Sequence, residues 1–509
     1  MKLAAIDIGT NSIHMIVVQV LPGHAFEVIE REKEMVKLGA GVFSTKQLSP
    51  QTFDYGLETI KRYVHLADQL GVDEIITAAT SAIREAHNGE AFLSAVSKQA
   101  GISPRIISGK EEARLIFLAV RNAIALADET ALVLDIGGGS TEAVVGNTAD
   151  IFFGTSLPLG VQRLRDMFEN QQPLAPEGRS AVEAYIQYQA SESLETARDL
   201  GFDRVIGTSG TIRTLGEAAH LANGQSLRSV NAEVAKLSDI DQVTKKLLKL
   251  DQDDRTKVDG VSEKRTDAIH LGGILLVQLL RLAQVKEITL CDASLREGMI
   301  LDYLERHGQD VTMPEFEDLR HRSAAQLVSK YGADWSENSH VAHLALQLFD
   351  QTRSLHDYGE FERELLEYGA LLHDIGQYIS FRKYHKNSRY IIKQANPRGF
   401  NDEEVMLIGH LARYHCKAAP TKGHKKFKKL DKSQRRIVRL LSGILRIAVG
   451  LNKTKNQQID ALDCDISAEA LKIAVQGSGS LALELWAARR ERQVLEAALK
   501  REILIVAQT

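Results

Sequence analysis

Three cysteines in 509 residues, Cys291, Cys416 and Cys464, leave little room for disulfide or thiolate chemistry. They are odd in number and widely spaced, with none of the close pairing of a zinc site. They read as reduced thiols, which places the protein in the cytoplasm. Long apolar runs are also missing, since none approaches the roughly 20 residues of a membrane helix. The apolar start of the chain is cut short by Asp7, so residues 3–8 read as a buried strand ending on a carboxylate, not as a leader or a span. No segment is of low complexity. Aromatic residues make up only 6% of the chain, and no aromatic-rich stretch marks a nucleobase pocket. The net charge of −4 argues against a nucleic-acid partner.

What is present is unevenly distributed. Residues 1–312 carry a net −11 and residues 313–509 a net +7, while 381–439 alone holds 17 basic and 4 acidic residues. A concentrated basic stretch on an acidic protein is expected to contact a polyanion. Fourteen of the 17 are the candidates: Arg382, Lys383, Lys386, Arg389, Lys393, Lys422, Lys425, Lys426, Lys428, Lys429, Lys432, Arg435, Arg436 and Arg439. The plainer reading of such a run is a solvated face.

A chain of this length predicts two to four domains. Residues 3–8 and 14–20 form two strands around Gly9-Thr10-Asn11-Ser12, and residues 131–136 and 142–146 repeat the pattern around Gly137-Gly138-Gly139-Ser140-Thr141. Asp7 aligns with Asp135, 128 positions on, which marks a duplication at domain scale. Strands at 74–79, 105–108, 204–208 and 287–291 alternate with helices at 51–70, 88–100, 110–127 and 212–220, the signature of α/β layers. The character changes near Thr312-Met313-Pro314. From 315 to 453 strand patterns nearly vanish, and helices are expected at 340–349 and 361–372. Beyond 455 a strand at 471–475, a helix at 480–500 and a strand at 503–507 predict a small α+β cap. The expected domains are therefore 1–127, 128–312, 313–454 and 455–509.

A glycine-rich turn after a buried strand lets backbone N–H groups converge on an anion. Both repeats qualify, and each begins with a carboxylate. Beside phosphate, that carboxylate has a natural task in holding a divalent cation or its water shell. A third loop, Gly207-Thr208-Ser209-Gly210-Thr211-Ile212, follows a strand and opens a helix, a further anion site. A helix needing only a cap would produce the same residues.

These features resemble the actin / sugar kinase / heat-shock ATPase superfamily, in which two duplicated ribonuclease-H-like domains flank a cleft. More closely, the chain is similar to the exopolyphosphatase / guanosine pentaphosphate phosphohydrolase family. The residues carrying this are 5–15, Thr80-Ser81-Ala82-Ile83-Arg84, 107–116, 135–142, 207–212 and Ser294-Leu295-Arg296-Glu297-Gly298. The last third fits the longer members, which add an all-α HD-like domain and a cap. The resemblance implies Mg²⁺-dependent release of terminal orthophosphate from inorganic polyphosphate. Hydrolysis of guanosine pentaphosphate is the alternative, and a non-catalytic sensor of either ligand a second one. A kinase or ATPase of the wider superfamily is disfavoured by the same motifs. A homodimer is also implied.

Glu112 falls on the family's catalytic glutamate, and Glu142 on a second that places cation or water. Asp7, Asp135 and Glu142 are the implied metal ligands. Substrate contacts are expected from Gly9, Thr10, Asn11, Ser12, Gly137, Gly138, Gly139, Ser140, Thr141, Thr208, Ser209, Gly210 and Thr211. Arg84 and Arg265 join them because a guanidinium grips phosphate oxygens as a fork, although either would serve equally as a surface ion pair. Arg296 and Glu297 are left as a pair satisfying each other.

In the HD-like part, His373-Asp374 and the later His385, His410 and His415 have the residue types of a metal site. The register at Val341-Ala342 puts Glu337 where the pattern needs an earlier histidine, near His340 and His343. Val449 stands where an aspartate is needed. A helical scaffold that keeps its histidines in hydrogen bonds is the favoured reading, with metal binding the other.

Overall fold

The computed structural model describes residues 1–21, 25–168, 173–307 and 318–508. The chain divides into two compact units, Met1–Glu315 and Phe316–Thr509. The boundary expected near Thr312-Met313-Pro314 lies outside the described residues.

The first unit holds two sheets with one topology. Strands β1 (Lys2–Ile8), β2 (Ile13–Leu21), β3 (Ala25–Glu34), β4 (Glu74–Ala79) and β5 (Arg105–Ile106) run in the order β3-β2-β1-β4-β5. Strands β6 (Ala131–Ile136), β7 (Thr141–Gly146), β8 (Ile151–Leu157), β9 (Arg204–Thr208), β10 (Val234–Lys236) and β11 (Glu287–Leu290) follow as β8-β7-β6-β9-β11-β10. In each sheet the Asp-bearing strand pairs antiparallel with its hairpin partner and parallel with the next strand inward. The register sets Asp7 opposite His14 and Asp135 opposite Glu142, so the duplication expected from the sequence is present at residue level. β1 and β6 are buried on both faces, which explains their unbroken apolar runs.

Helix Gly109–Arg121 begins at Ser108, whose Oγ accepts the Glu111 N–H at 3.2 Å. It ends at Arg121, short of the expected 127. Its acidic first turn faces the positive end of the helix dipole, and Glu112 lies on its buried stripe with Ala113, Leu115 and Ile116. One core cluster joins that helix to both sheets and to helix Leu295–His307. The interior of the unit is therefore continuous beneath the cleft.

The second unit is helical through Trp335–Gln351, Glu360–Leu371, Tyr384–Ala395, Asp402–Tyr414 and Lys432–Leu451, with no strand among its described residues before Ile459. A three-stranded sheet closes it: β12 (Ile459–Ile466), β13 (Ala470–Gly477) and β14 (Glu502–Ala507) in the order β12-β13-β14. The single helix expected over 480–500 is broken at Arg492 into Ala482–Glu491 and Gln493–Leu499.

Candidate active site

A cleft of about 240 Å³ opens in the first unit where the strand-end loops of both sheets meet. The two Gly-rich loops abut. A Cβ on Gly138 would stand 2.8 Å from the Thr10 side chain, so that contact requires glycine. Each loop closes on itself in the same way, Gly9 N–H to Ser12 O at 3.2 Å and Gly137 N–H to Ser140 O at 2.9 Å. Helix Ser209–Ala222 starts at the cleft, with Ser209, Gly210 and Thr211 of its first turn on the wall. Ser209 has φ 87°, and its Oγ accepts the Thr211 and Ile212 N–H groups at 3.2 and 3.4 Å. The Arg265 guanidinium lies directly over Gly210, so a Cβ there would push it aside.

The floor is acidic. Glu112, Asp135 and Glu142 are 7%, 9% and 2% exposed, and Asp7 Oδ1 is buried without a hydrogen-bond partner. Burial first, and mutual repulsion after it, disfavours their charged forms. Asp7 is pushed up to about 6 by desolvation, which the Arg296 charge partly offsets. Asp135 rises to about 7 from desolvation and the Glu112 and Asp7 charges. Glu142 rises to about 8, with desolvation and Asp135 ahead of the opposing hydrogen bonds from Ser156 and Ser140. Glu112 is raised well above the ordinary range by burial and Glu142, against Arg84.

The wall is basic. Lys33 is lowered to about 8 by burial and by the charges of Arg265, Arg296, Lys264 and Arg213. Arg265 is lowered by burial and Arg213, while Asp267 acts the other way. His14 is driven to about 2 by burial and Arg296, and so is neutral. Its Nδ1 accepts from Arg296 Nη1 at 2.9 Å and its Nε2 meets Ser12 Oγ at 2.5 Å.

Most of the residues singled out in the sequence line this space: Asp7, the loop 9–12, Glu112, Asp135, Gly137, Gly138, Ser140, Glu142, the turn 209–211 and Arg265. Four do not. Thr141 and Thr208 are fully buried and give their hydroxyls to the Leu159 and Ala293 carbonyls. Gly139 packs under Ser81 and Phe43. Arg84 stands behind the wall, donating to Ile107 O at 2.8 Å and to Glu112 Oε2 at 3.2 Å. Arg296 is not taken up by its neighbour. It bonds Ser294 Oγ and His14 on the cleft wall, whereas Glu297 accepts from Ser294 and faces Arg31. Sequence reasoning missed Lys33, Lys264, Arg213 and Arg296 as a cationic set, because they come from four separate segments. His14 was legible as the duplication partner of Glu142.

In the second unit, His373 and His415 pack at 4.9 Å between ring centroids. Their Nδ1 atoms sit on the Ala370 and Ala412 carbonyls at 2.6 and 2.7 Å. His415 Nε2 meets the Tyr384 hydroxyl at 3.0 Å. The residue facing Asp374 is Asn338, which donates at 2.8 Å. Glu337, expected in that place, is one residue off the buried face and pairs with Lys455. Among the described residues, no three His, Cys, Asp or Glu side chains gather closely enough to hold a metal ion unaided. The lysines at 422, 425, 426, 428, 429 and 432 are exposed on this unit.

A model of the Ppx/GppA phosphatase family matches residues 16–307, and one of that family's domain III matches 319–499. A guanosine-5'-triphosphate,3'-diphosphate pyrophosphatase of Vibrio vulnificus is 29% identical over 474 residues, 93% of this chain and 91% of the relative. A solved exopolyphosphatase of Cytophaga hutchinsonii superposes with a TM-score of 0.56 at 28% identity, covering 59% of this chain and 98% of that one. A Ppx/GppA family member from Aquifex aeolicus gives 0.53 at 26%, covering 61% and 99%.

Proposed function

The chain belongs to the Ppx/GppA phosphatase family, phosphatases acting on phosphoanhydride bonds, and from that premise we propose that its cleft releases the terminal orthophosphate of a linear phosphate chain, inorganic polyphosphate first. One observation carries the reading. Buried carboxylates that the protein leaves largely uncompensated lie under loops that offer backbone N–H groups, facing a cluster of lysines and arginines. A phosphate chain accompanied by a cation satisfies both halves at once.

In this mechanism the loops 9–12 and 137–140 and the helix start at 209–211 receive phosphate oxygens. Arg265, Arg213, Lys33, Lys264 and Arg296 neutralise the chain. Glu112 acts as general base. Arg84 holds its Oε2, which leaves Oε1 to take a proton from water as the water oxygen bonds to the terminal phosphorus. The bridging P–O bond breaks and the shortened chain leaves with those electrons. Burial raises the proton affinity of Glu112, which strengthens it as a base in its ionised form. Ser156 donates to Glu142 Oε1 at 2.7 Å and fixes its orientation.

Asp7, Asp135 and Glu142 do not by themselves gather into a three-ligand site, but their chemistry suits a divalent cation held largely through water and phosphate oxygens. Asp7 has an orphaned buried oxygen, and Asp135 and Glu142 are destabilised as anions by their surroundings. Asp7, Asp135 and Glu142 would hold it, with water and phosphate oxygens completing the shell as Mg²⁺ prefers. Such an ion supplies charge neutralisation on the phosphoryl oxygens.

Guanosine pentaphosphate is a second reading, favoured by the near full-length relative named for that reaction. Supplying long polyphosphate, guanosine pentaphosphate and ATP separately with Mg²⁺ and measuring released phosphate separates the cases. Release from none overturns the proposal, and release from ATP alone moves the chain to the ATPases. The homodimer implied by the resemblance is part of this proposal, tested by sedimentation of the full chain. No described helix is long and apolar enough to cross a membrane.

A further inference from the structure

In the second unit, helix Tyr384–Ala395 packs against helix Asp402–Tyr414. His385, Arg389 and Lys393 follow one another at four-residue intervals on the first helix and share a face. His410, Arg413 and Tyr414 come from the end of the second. Arg389 Nη2 meets His410 Nε2 at 3.4 Å. The His410 ring stacks over Tyr414 at 5.9 Å between centroids, and the Arg413 guanidinium lies 5.2 Å from the same tyrosine ring. A Cβ on Gly409 would stand 3.4 Å from Arg389 Cγ, so Arg389 lies along the second helix.

These cations have nothing to neutralise them. Among the described residues, Arg389, Lys393, Arg413 and Lys426 form no hydrogen bond or ion pair with a carboxylate. Arg389 Nε, Arg413 Nη1 and Nδ1 of both His385 and His410 are buried without a partner. The two histidines are 5% and 1% exposed. Burial and the Arg413 charge act against the Arg389 cation, and burial and Arg446 against Arg413. Arg389 and Lys393 likewise depress the Lys426 ammonium. His410 is driven to about 3 by burial and Arg389 and is neutral. An arginine only donates, so His410 accepts through Nε2 and carries its proton on Nδ1. That N–H is a third buried donor beside the two guanidinium groups.

Unpaired guanidinium groups beside a neutral N–H donor are the chemistry of an oxyanion site. A long chain would need an open groove to thread, and these donors are enclosed. A compact tetrahedral ion carries acceptors on every side and needs one way in. We propose that the seam between these helices binds free orthophosphate, gripped by Arg389 and Arg413 with His410 Nδ1–H as the neutral donor. The cleft releases the same ion on the reading above, but this site does not depend on that reading.

The test is hydrogen exchange of the full chain, read by mass spectrometry, with orthophosphate titrated against chloride at constant ionic strength. Peptides from 384–395 and 402–414 should gain protection that saturates with orthophosphate and does not appear with chloride. Arg389→Met and Arg413→Met should each raise the half-saturating concentration roughly tenfold or more. Peptides from the cleft report separately and should respond alike in variants and wild type. In chloride alone, Arg389→Met should raise the Tm of the second unit, because it removes a buried cation without a partner. A residue kept for packing would lower it. No protection of these helices at millimolar orthophosphate, or equal protection in chloride, would overturn the site. Protection by long polyphosphate but not by orthophosphate would overturn it too and give these residues to a chain-binding face. A lowered Tm with the orthophosphate response intact would take Arg389 out of the site.

Discussion

In the cleft, Asp135, Glu112 and Glu142 lie buried beside half-buried Asp7, and among the described residues Arg84 on Glu112 is the one guanidinium hydrogen-bonded to any of them. Around His373 the opposite holds. Asp374 accepts from Asn338 and Gln377, the paired imidazoles rest on main-chain carbonyls, and Tyr384 meets the remaining nitrogen of His415. Both regions bury ionisable groups. The first leaves a deficit among its carboxylates, and the second satisfies His373, His415 and Asp374 while leaving Nδ1 of His385 and of His410 buried without a partner. A buried charge without a partner is costly to keep. Its persistence therefore points to a ligand, where a completed network points to architecture.

The sharpest way to break that contrast is to remove the base. Glu112→Ala should lower phosphate release by about 10²–10⁴-fold while leaving affinity for the chain, read by equilibrium binding, largely intact. Near-normal turnover would take Glu112 out of the mechanism. Arg265→Ala should act on binding instead. Losing a charged hydrogen bond worth about 1.5–3 kcal/mol raises KM roughly 10–100-fold, and the defect should shrink as salt weakens the wild-type interaction. A fall in kcat at constant KM would contradict this.

The acidic floor also predicts a pH dependence of stability without divalent cation. Asp7, Asp135 and Glu142 hold their protons to about 6, 7 and 8 in the folded chain but release them near 4 when unfolded. The folded state then binds more protons, so stability falls as pH rises from about 4 to 8. Thermal melts with chelator should show Tm of the first unit dropping by about 2–4 °C per kcal/mol lost. Mg²⁺ should flatten the slope, because it favours the ionised carboxylates. A melt that is flat with pH and indifferent to Mg²⁺ would mean the deficit is not real. On the other side, His373→Ala should cost about 1–3 kcal/mol of stability and leave release from tripolyphosphate within about twofold. Loss of turnover in a folded variant would give the second unit's paired histidines a chemical role. Smallest of all, replacing Lys425, Lys426, Lys428 and Lys429 with Gln should weaken binding of long polyphosphate and its salt dependence and spare short chains. No change on long chains would leave these lysines a solvated face.

Much of the cleft was legible because it is built from contiguous motifs. The strand–turn–strand repeats led by Asp7 and Asp135 announce themselves, and the register Asp135 opposite Glu142 follows from the duplication. Glu112 was legible through family resemblance alone, since a glutamate in a first helical turn has an ordinary explanation in the dipole. What the pattern hid was direction. Thr141 and Thr208 sit in loop motifs yet turn their hydroxyls inward, because the strand ends they occupy have carbonyls to satisfy. Strand β3 was missed because Glu27, Glu30, Arg31, Glu32 and Lys33 make it read as a polar helix or loop. It is an edge strand with one face in solvent, where charge is tolerated. Asn338 was displaced by one position from its expected register, the error to which a helix read without its cap at Asp334 is prone.

The duplicated hairpins agree at Asp7 and Asp135 and part at the residue opposite, where one half has Glu142 and the other has His14 held neutral against Arg296. Twofold symmetry is broken there, as it also is at Thr10 over Gly138 and Asn11 over Gly139. A perfectly repeated pair of halves would present the same chemistry to either end of an elongated ligand. This one offers a carboxylate on one side and an uncharged imidazole backed by a guanidinium on the other, which gives the groove a head and a tail.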